Sequence, residues 1–334
     1  MNTHQRLRAL AGSALIVIPM LMFVFGFSKL SAQRVHHIDI NGVVAEAGGW
    51  SPANLTVSAG DQVQIHLTSR DVVHGFAIGQ MDVPAVDVKP GLVSHFNVTF
   101  DRPGKFVYYC TQWCGLNHWR MRGVIEVLPN SPKPQPVVNR QPLYAQLGLD
   151  IDAAHPAAVV PAERLSAERG ARLDVTLPAE YLTPDYYRAH SPAEAWQALR
   201  QLPATQAYSD AKVWDLVAFV WESNSTTQRR ALGRQLYTAN CTACHGESGA
   251  GNGPIAAALA NQSTSDFGSG TLTPTAFSNP TSMLGASPAL LQGKIIRGGM
   301  GTGMPYWGPV FSDSQVWALI EYLWTFQMEY RTQP

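Results

Sequence analysis

Apolar and polar residues alternate with a period of two along the chain between residues 35 and 128. Val63, Ile65 and Leu67 show this alternation, and turns rich in glycine and proline separate the short segments that carry it. Successive side chains of a strand point to opposite faces, so the pattern is that of strands with one buried face. Short strands at regular spacing indicate a sandwich or barrel. We therefore predict an all-β domain over 35–130.

The pattern becomes helical after a stretch that contains Pro132, Pro134 and Pro136. Prolines at this density stiffen a chain, so we predict a linker at 131–138. Beyond it, apolar residues follow helical spacing in the two segments AKVWDLVAFVW and SQVWALIEYLW, each of which predicts a helix with one buried face. The protein is therefore predicted to be multidomain, with an all-β part followed by an all-α part.

An almost unbroken apolar run occupies residues 9–27 and is preceded by Arg6 and Arg8. A helix of this length approaches the span of a bilayer, and basic residues on its N-terminal side favour a cytoplasmic N-terminus. We predict a cytoplasmic segment at 1–8 and a single transmembrane helix at 9–30, embedded in the lipid of a bacterial inner membrane. The later domains would then lie on the periplasmic side. A cleaved secretory signal is the alternative, and it exports the same domains.

The formal net charge is zero and no basic run is present, which argues against a nucleic-acid partner. The sequence contains no paired acid/base carboxylates, nucleophile elbow or phosphate loop, so we predict no catalytic residues in this chain. All four cysteines fall into two closely spaced pairs. A disulfide within either pair would close a small loop and stabilise little. Redox cofactors explain these pairs better.

The first cysteine pair lies in a segment rich in soft metal ligands. This segment reads Cys110-Thr-Gln-Trp-Cys114-Gly-Leu-Asn-His118-Trp-Arg-Met121. Thiolates, imidazole and thioether together select copper. A mononuclear blue copper centre needs one cysteine, whereas two coppers bridged by two thiolates use both. We therefore predict a dinuclear copper site.

A second imidazole must come from an upstream strand, where His66, His74 and His95 are candidates. We prefer His74 because it lies at the end of a predicted strand and before a loop, whereas His66 falls within an alternating strand and His95 opens one. Trp113 and Trp119 lie among the copper ligands. They either form a surface that receives electrons or pack over the copper loop.

The segment from Asp71 to Leu128 resembles subunit II of cytochrome c oxidase, whose Cys-x-x-x-Cys-Gly-x-x-His-x-x-Met signature it contains. The resemblance implies a Greek-key cupredoxin sandwich that holds a dinuclear CuA centre, and the single predicted membrane helix is closest to the B-type subgroup. The ligands that it implies are Cys110 and Cys114 as bridging thiolates, His74 and His118 on one copper each, and Met121 and the backbone carbonyl of Gln112 as weak axial contacts.

The second cysteine pair belongs to Cys241-Thr-Ala-Cys244-His245, the attachment signature of a c-type haem. The two cysteines lie one helical turn apart, so both thiols can reach the vinyl groups along one haem edge, and His245 can bind the iron. Ligation by Met and His suits electron transfer. We prefer Met304 to Met300 as the second axial ligand, because Met304-Pro-Tyr-Trp resembles the Met-Pro-aromatic loop of small bacterial class I cytochromes c.

The predicted domain with one covalent haem c spans 229–330, and short matches relate it to the segment before it. The two Trp-containing helices are similar, and Arg140-Gln-Pro-Leu-Tyr144 parallels Arg234-Gln-Leu-Tyr237. We predict that 139–228 is a duplicated, degenerate cytochrome c-like module without haem. A helical linker whose tryptophans pack on the haem domain is the alternative.

A membrane anchor, a CuA domain and a haem domain on one chain predict the electron-transfer subunit of a respiratory haem–copper terminal oxidase. Electrons would pass from an external donor, such as a cytochrome c, through haem c and CuA to a partner. The resemblance implies that this partner is the multi-helix subunit I, whose haem and copper reduce O2. Tethering would raise the effective concentration of the haem domain to about millimolar. The CuA subunit of a nitric oxide reductase is an alternative, because the substrate site lies in the partner, and a membrane-tethered electron carrier is another.

Overall fold

A computed structural model describes residues 35–115, 118–130, 141–260, 273–299 and 304–331. The predicted transmembrane helix at 9–30 and the predicted linker at 131–138 lie outside these residues. Within the described ranges, no helix has both the length and the apolar character that a bilayer span requires.

Two sheets packed face to face form the first domain. In chain order its strands are β1 (Val35–Gly42), β2 (Trp50–Ser51), β3 (Asn54–Ser58), β4 (Gln62–Ser69), β5 (His74–Ile78), β6 (Val86–Val88), β7 (Ser94–Thr99), β8 (Gly104–Tyr109) and β9 (Arg122–Leu128). One sheet has the order β2-β1-β4-β7 and the other has the order β3-β9-β8-β5-β6. The pairs β1–β4 and β3–β9 are parallel, and the other pairs are antiparallel. The predicted β-sandwich is confirmed.

The alternation of the sequence accounts for the core between the sheets. In β4, Val63, Ile65 and Leu67 are buried, whereas the residues between them are partly exposed. Strand β5 is different, because all of its residues are buried. The prediction that His74 ends a strand is wrong in this detail: the loop comes before this buried run, and His74 opens the strand.

The second part of the chain is helical, as predicted. Its helices are α1 (Leu143–Gln146), α2 (Ala167–Ala171), α3 (Pro184–Ala189), α4 (Pro192–Arg200), α5 (Asp210–Ser223), α6 (Thr227–Asn240), α7 (Thr242–His245), α8 (Ala256–Ala260), α9 (Pro280–Leu284), α10 (Pro288–Arg297) and α11 (Asp313–Leu323). A short parallel pair of strands, β10 (Leu165–Ser166) and β11 (Met328–Glu329), joins its beginning to its end. Ser191 and Ser287 cap α4 and α10 in the same way, each before a proline.

Two helix pairs cross at a glycine in the same way. A Cβ atom on Gly170 of α2 would lie 2.0 Å from the backbone oxygen of Asp215 in α5, and one on Gly233 of α6 would lie 2.0 Å from that of Ala318 in α11. Only glycine permits so close an approach of two backbones. Asp215 and Ala318 occupy equivalent positions in the two similar Trp-containing helices. The structural counterpart of α6 is therefore α2, and not the segment 140–144 that the sequence match suggested.

The helical part packs directly against the sandwich. Ala77 of β5 and Tyr109 of β8 belong to the same hydrophobic cluster as the helices. The backbone N–H of Gln80 donates to the Val310 carbonyl over 3.1 Å, and its side-chain amide donates to the Gly308 carbonyl over 2.9 Å. These contacts follow the C-terminal end of β5, and β5 and β8 are the two strands beside the cysteine–histidine cluster described next.

Candidate metal centre and haem pocket

The first site lies between β8 and β9, beside the beginning of β5. Cys110 follows β8 directly, and Met121 stands immediately before β9. His118 opens a 3-10 turn between them. The N–H of Cys110 donates to the carbonyl of Met121 over 3.1 Å, which closes the loop. His74 enters from the neighbouring strand, so two strands and one closed loop fix the positions of these side chains.

The structure brings all six residues predicted as copper ligands together. The two sulfurs, Cys110 Sγ and Cys114 Sγ, lie 3.8 Å apart. Each sulfur has one imidazole and one weaker donor beside it. Cys110 Sγ lies 3.9 Å from His74 Nδ1 and 3.2 Å from the Gln112 carbonyl oxygen, and Cys114 Sγ lies 3.5 Å from His118 Nδ1 and 3.2 Å from Met121 Sδ.

This arrangement is balanced between the two sulfurs, which suits two soft metal ions better than one. The ligand atoms of His74, Cys110 and Cys114 all lie within 4.8 Å of one another. The hydrogen bond between the thiols lowers the pKa of Cys110 and raises the pKa of Cys114, because a second thiolate beside the first is unfavourable. Cations held between the sulfurs would remove this penalty and release the remaining proton.

Asp71 orients the imidazole of His74 by contacting its Nε2 atom. His74 Nε2 lies 2.9 Å from Asp71 Oδ1, and because a carboxylate only accepts, Nε2 carries the hydrogen and Nδ1 is free to bind a metal. Burial works against ionisation of Asp71, but hydrogen bonds from the backbone N–H of Val44, from His74 and from the N–H of Val72 keep its pKa below the usual range. Burial opposes protonation of His74, but its contacts with Cys110 and Asp71 raise its pKa above the usual value.

The two alternative histidines lie in the other sheet. His66 of β4 and His95 of β7 face each other across the strands, with ring centroids 5.0 Å apart. His66 Nδ1 contacts Asp39 Oδ1 over 3.1 Å. These contacts account for both residues without the cysteines, and the preference for His74 agrees with the geometry.

The two tryptophans of the copper loop differ in exposure. Trp113 is 47% exposed and lies 5.8 Å from the ring of His118, measured between centroids. Trp119 is half-buried, with the guanidinium of Arg120 5.9 Å from its ring. Because the Trp113 ring is exposed, a redox partner could contact it, and its role in receiving electrons stays a prediction.

The second site is a cavity of about 290 Å³ in the helical part. Cys241, Cys244, His245 and Met304 all line it. Cys241 lies between α6 and α7 and caps α7. Cys244 lies within α7, and His245 is its last residue. The predicted attachment residues and the preferred axial methionine therefore face one cavity. The competing Met300 lies outside the described residues.

The imidazole of His245 is held in one orientation. Its Nδ1 lies 2.9 Å from the Thr275 carbonyl, which can only accept, so Nδ1 carries the hydrogen and Nε2 is left as a ligand. Phe277 stacks on the ring with centroids 4.4 Å apart. Burial lowers the pKa of His245, which keeps the ring neutral, although the bond to Thr275 works in the opposite direction.

The chemistry of this cavity fits a c-type haem. Burial raises the pKa of Cys241 to about 12 and that of Cys244 to about 11, so both remain thiols until they react. Lys294 and Arg297 also line the cavity, where Arg297 forms an ion pair with Asp152. Thiols, a neutral imidazole and a thioether are together the donor set that such a haem requires.

Known protein families match both halves of the chain. The family described as Cytochrome C oxidase subunit II, periplasmic domain matches residues 52–128, and the family described as Cytochrome C oxidase, cbb3-type, subunit III matches residues 228–323. The first match contains the Cys110–Cys114 cluster, and the second contains the cavity that Cys241, Cys244 and His245 line.

The subunit II domain is similar to cytochrome c oxidase subunit 2 of Thermus thermophilus, with 41% identity over 85 residues, which is 25% of this chain and 62% of that protein. A second subunit 2 from the same species matches with the same identity over 50% of its length. The chain thus spans between half and two thirds of these curated relatives. The periplasmic domain of subunit II from Bradyrhizobium japonicum aligns at 20% identity over 28% of this chain and 85% of that one, with a TM-score of 0.25.

Several residues of the two sites are not found by sequence reasoning. Asp71 stands three residues before His74, but no spacing rule shows that it turns back to the imidazole. Thr275 and Lys294 reach the haem pocket from segments remote from the attachment motif. Histidine ligands usually have such a partner on the second nitrogen, so a nearby carboxylate was the available signal for Asp71.

Proposed function

We propose that this chain is the electron-transfer subunit of a respiratory haem–copper terminal oxidase. The observation that carries the proposal is the balanced arrangement of Cys110 and Cys114, each sulfur with its own imidazole and weak donor. A dinuclear CuA centre uses such a set, and a soluble carrier with one copper does not need the second cysteine. The haem pocket on the same chain supports the same function.

The residues hold the copper pair as follows. Cys110, Cys114, His74, His118, Met121 and the carbonyl of Gln112 would hold the two ions, with the two thiolates shared between them. The bound copper pair supplies a one-electron acceptor whose charge change is spread over two ions and two sulfurs. The closed loop and the bond from His74 to Asp71 keep the ligands in place in both redox states.

In the helical part, Cys241 and Cys244 would attach a haem covalently, and His245 and Met304 would bind its iron. The haem would accept an electron from an external donor, such as a cytochrome c, and the CuA centre would pass it to the haem and copper of subunit I. The redox domains lie in the periplasm, and the apolar segment at 9–30 anchors them to the inner membrane. Trp113 is a candidate for contact with a redox partner because of its exposed ring.

Residues 139–228 form a haem-free cytochrome c-like module in this proposal. The equivalent glycine crossings at Gly170 and Gly233 support duplication better than a linker does. The first copy contains no cysteine. In the first copy, the segment between the crossing glycine and the Ser-Pro cap consists of residues 171–190. The corresponding segment of the second copy is longer and consists of residues 234–286. The shorter segment leaves no room for a haem-attachment motif.

The experiment that tests the function is purification of the native complex through a tag on this chain, followed by measurement of O2 and NO consumption. Fast O2 uptake with weak NO turnover, together with a co-purified multi-helix subunit, is the expected result. Efficient NO turnover with negligible O2 uptake would instead identify a nitric oxide reductase. Isolation of the chain without any partner would identify a tethered carrier.

A further inference from the structure

The residues that follow the two predicted methionine ligands meet at the contact between the domains. Arg122 comes directly after Met121, and its guanidinium carbon lies 4.9 Å from the ring centroid of Trp307. Nη1 of Arg122 donates to the carbonyl of Tyr306 over 3.0 Å. Tyr306 and Trp307 follow Met304-Pro305 in the sequence. One side chain therefore connects the segment that ends the copper loop to the segment that leaves the haem pocket.

Trp307 belongs both to the wall of the haem pocket and to the domain contact. It lines the cavity together with Cys244 and Met304, and its side chain is 6% exposed. Its ring stacks on Phe311 with centroids 5.0 Å apart and an interplanar angle of 8°, and its backbone N–H donates to the Ile295 carbonyl over 3.1 Å. These contacts fix the ring between the cavity and the guanidinium.

Arg122 is equally well connected to the copper site. It pairs across the ladder with Tyr109, the residue before Cys110. The carbonyl of the Met121–Arg122 peptide accepts a hydrogen bond from the Cys110 N–H over 3.1 Å. Two short routes thus lead from Arg122 to copper ligands, one through the chain to Met121 and one across this hydrogen bond to Cys110.

One nitrogen of the Arg122 guanidinium lacks a hydrogen-bond partner. The residue as a whole is half-buried, but its Nη2 atom is buried without a partner among the described residues. An unpaired buried donor costs free energy. The hydrogen bond from Nη1 to the Tyr306 carbonyl and the contact of the guanidinium with the Trp307 ring offset part of this cost.

The contact is also built to be close and rigid. A Cβ atom on Gly79 would lie 2.6 Å from the Val310 carbonyl oxygen, so the two domains touch through backbone at this point. Gln80 has φ of 60°, a conformation that is unfavourable for residues other than glycine, and it makes two hydrogen bonds across the contact. The separation between Arg122 and Trp307 is therefore held by neighbouring contacts.

We propose that Arg122 and Trp307 form the path for electron transfer from the haem to CuA, and we call this pair the Arg–Trp bridge. The inference rests on the proposed function. One electron crosses the bridge: the haem iron goes from ferrous to ferric, the copper pair gains one equivalent, and no bond or proton is transferred. Packed and hydrogen-bonded atoms between the two methionine ligands couple the centres better than a solvent gap of the same length.

The test uses the full chain, loaded with haem and copper. A photoexcited reductant delivers one electron to the haem, and the haem and copper absorption bands then report the internal transfer. Arg122→Lys keeps the positive charge but loses the planar contact with Trp307. We expect the transfer to slow severalfold, because loss of the packed guanidinium–indole contact weakens the electronic coupling between the two centres. The reduction potentials of both centres should remain unchanged.

Two controls separate the bridge from general packing. Arg188→Lys makes the same substitution at another arginine–tryptophan pair, in which the guanidinium lies 4.6 Å from the ring of Trp317, and it should leave the transfer rate unchanged. Gln80→Ala removes a domain contact outside the bridge and should also leave the rate unchanged. If Arg122→Lys does not incorporate copper, Trp307→Phe tests the bridge from the haem side and should also slow the transfer.

The outcomes distinguish this inference from the proposed function. A wild-type rate in Arg122→Lys, or equal slowing in Gln80→Ala, would overturn the bridge while leaving the function intact. A wild-type chain that lacks the copper or haem signal, or does not transfer the electron at all, would contradict the proposed function itself.

Discussion

Trp221, in the last turn of α5, and Trp324, directly after α11, meet edge to face with ring centroids 5.9 Å apart. They occupy equivalent positions in the two similar Trp-containing segments. Contacts between equivalent residues are typical of two-fold related units. This contact supports the proposed duplication, in which only the second unit would hold a haem.

This relationship predicts one iron atom per chain. In the first unit, Tyr187 packs edge to face on Trp221 at 5.5 Å, and no cysteine is present to attach a haem. Metal analysis of the purified chain together with its covalent haem content measures the stoichiometry. A variant with both Cys241→Ser and Cys244→Ser should lose all covalently bound haem. Two irons per chain in the wild type would rule out a haem-free first unit.

Cys114→Ser is expected to convert the copper site into a mononuclear or empty one. The substitution removes one of the two sulfurs that lie 3.8 Å apart, so two ions can no longer share both bridges. Copper analysis and electron paramagnetic resonance measure the change, since a copper pair that shares one unpaired electron has its own spectrum. Cys244→Ser, a matched substitution in the haem pocket, should leave that spectrum unchanged. A normal mixed-valence spectrum in Cys114→Ser would refute the dinuclear assignment.

Asp71→Asn is expected to weaken copper binding by about tenfold or more, the usual effect of removing the partner of a ligating histidine. The carboxylate holds His74 with Nδ1 free, and an amide in its place holds it less firmly. Competition with a copper chelator measures the affinity. Asp39→Asn removes the carboxylate of another aspartate–histidine pair, that with His66, and should have no effect. Equal affinities in wild type and Asp71→Asn would show that Asp71 does not orient the ligand.

The sequence predicts the features of this protein that are local. The copper loop contains most of its ligands within one segment, and the haem motif is contiguous, so ligand chemistry identified both. The sandwich followed from alternation. The sequence could not predict features that depend on tertiary contacts. These are the strand that begins at His74, the contact of Asp71 with the His74 imidazole, and the contact of Arg122 with Trp307, two residues that are far apart in sequence.

The repeat illustrates the same difference at the level of a whole unit. Short matches relate the two Trp-containing helices, because those helices are long and strongly patterned, and the duplication itself stays a prediction. They placed the first helix of the unit at 140–144, whereas the crossing with Asp215 involves Gly170. A single glycine in a five-residue helix carries almost no sequence signal, and its importance lies in the backbone that it touches.

Met304→Leu tests the axial ligand of the haem. Leucine keeps the volume of methionine but has no sulfur, so the iron would lose its second strong ligand while both thioether links remain. Because ligation by methionine and histidine raises the reduction potential of a haem, we expect the potential to fall and the visible spectrum of the ferric haem to change. Redox titration followed by absorption spectroscopy measures both. Met300→Leu is the matched control, and the same substitution there should leave potential and spectrum as in the wild type. The reverse pattern, with Met300→Leu altered and Met304→Leu normal, would transfer the ligand role to Met300, although Met304 is the residue that lines the cavity with His245.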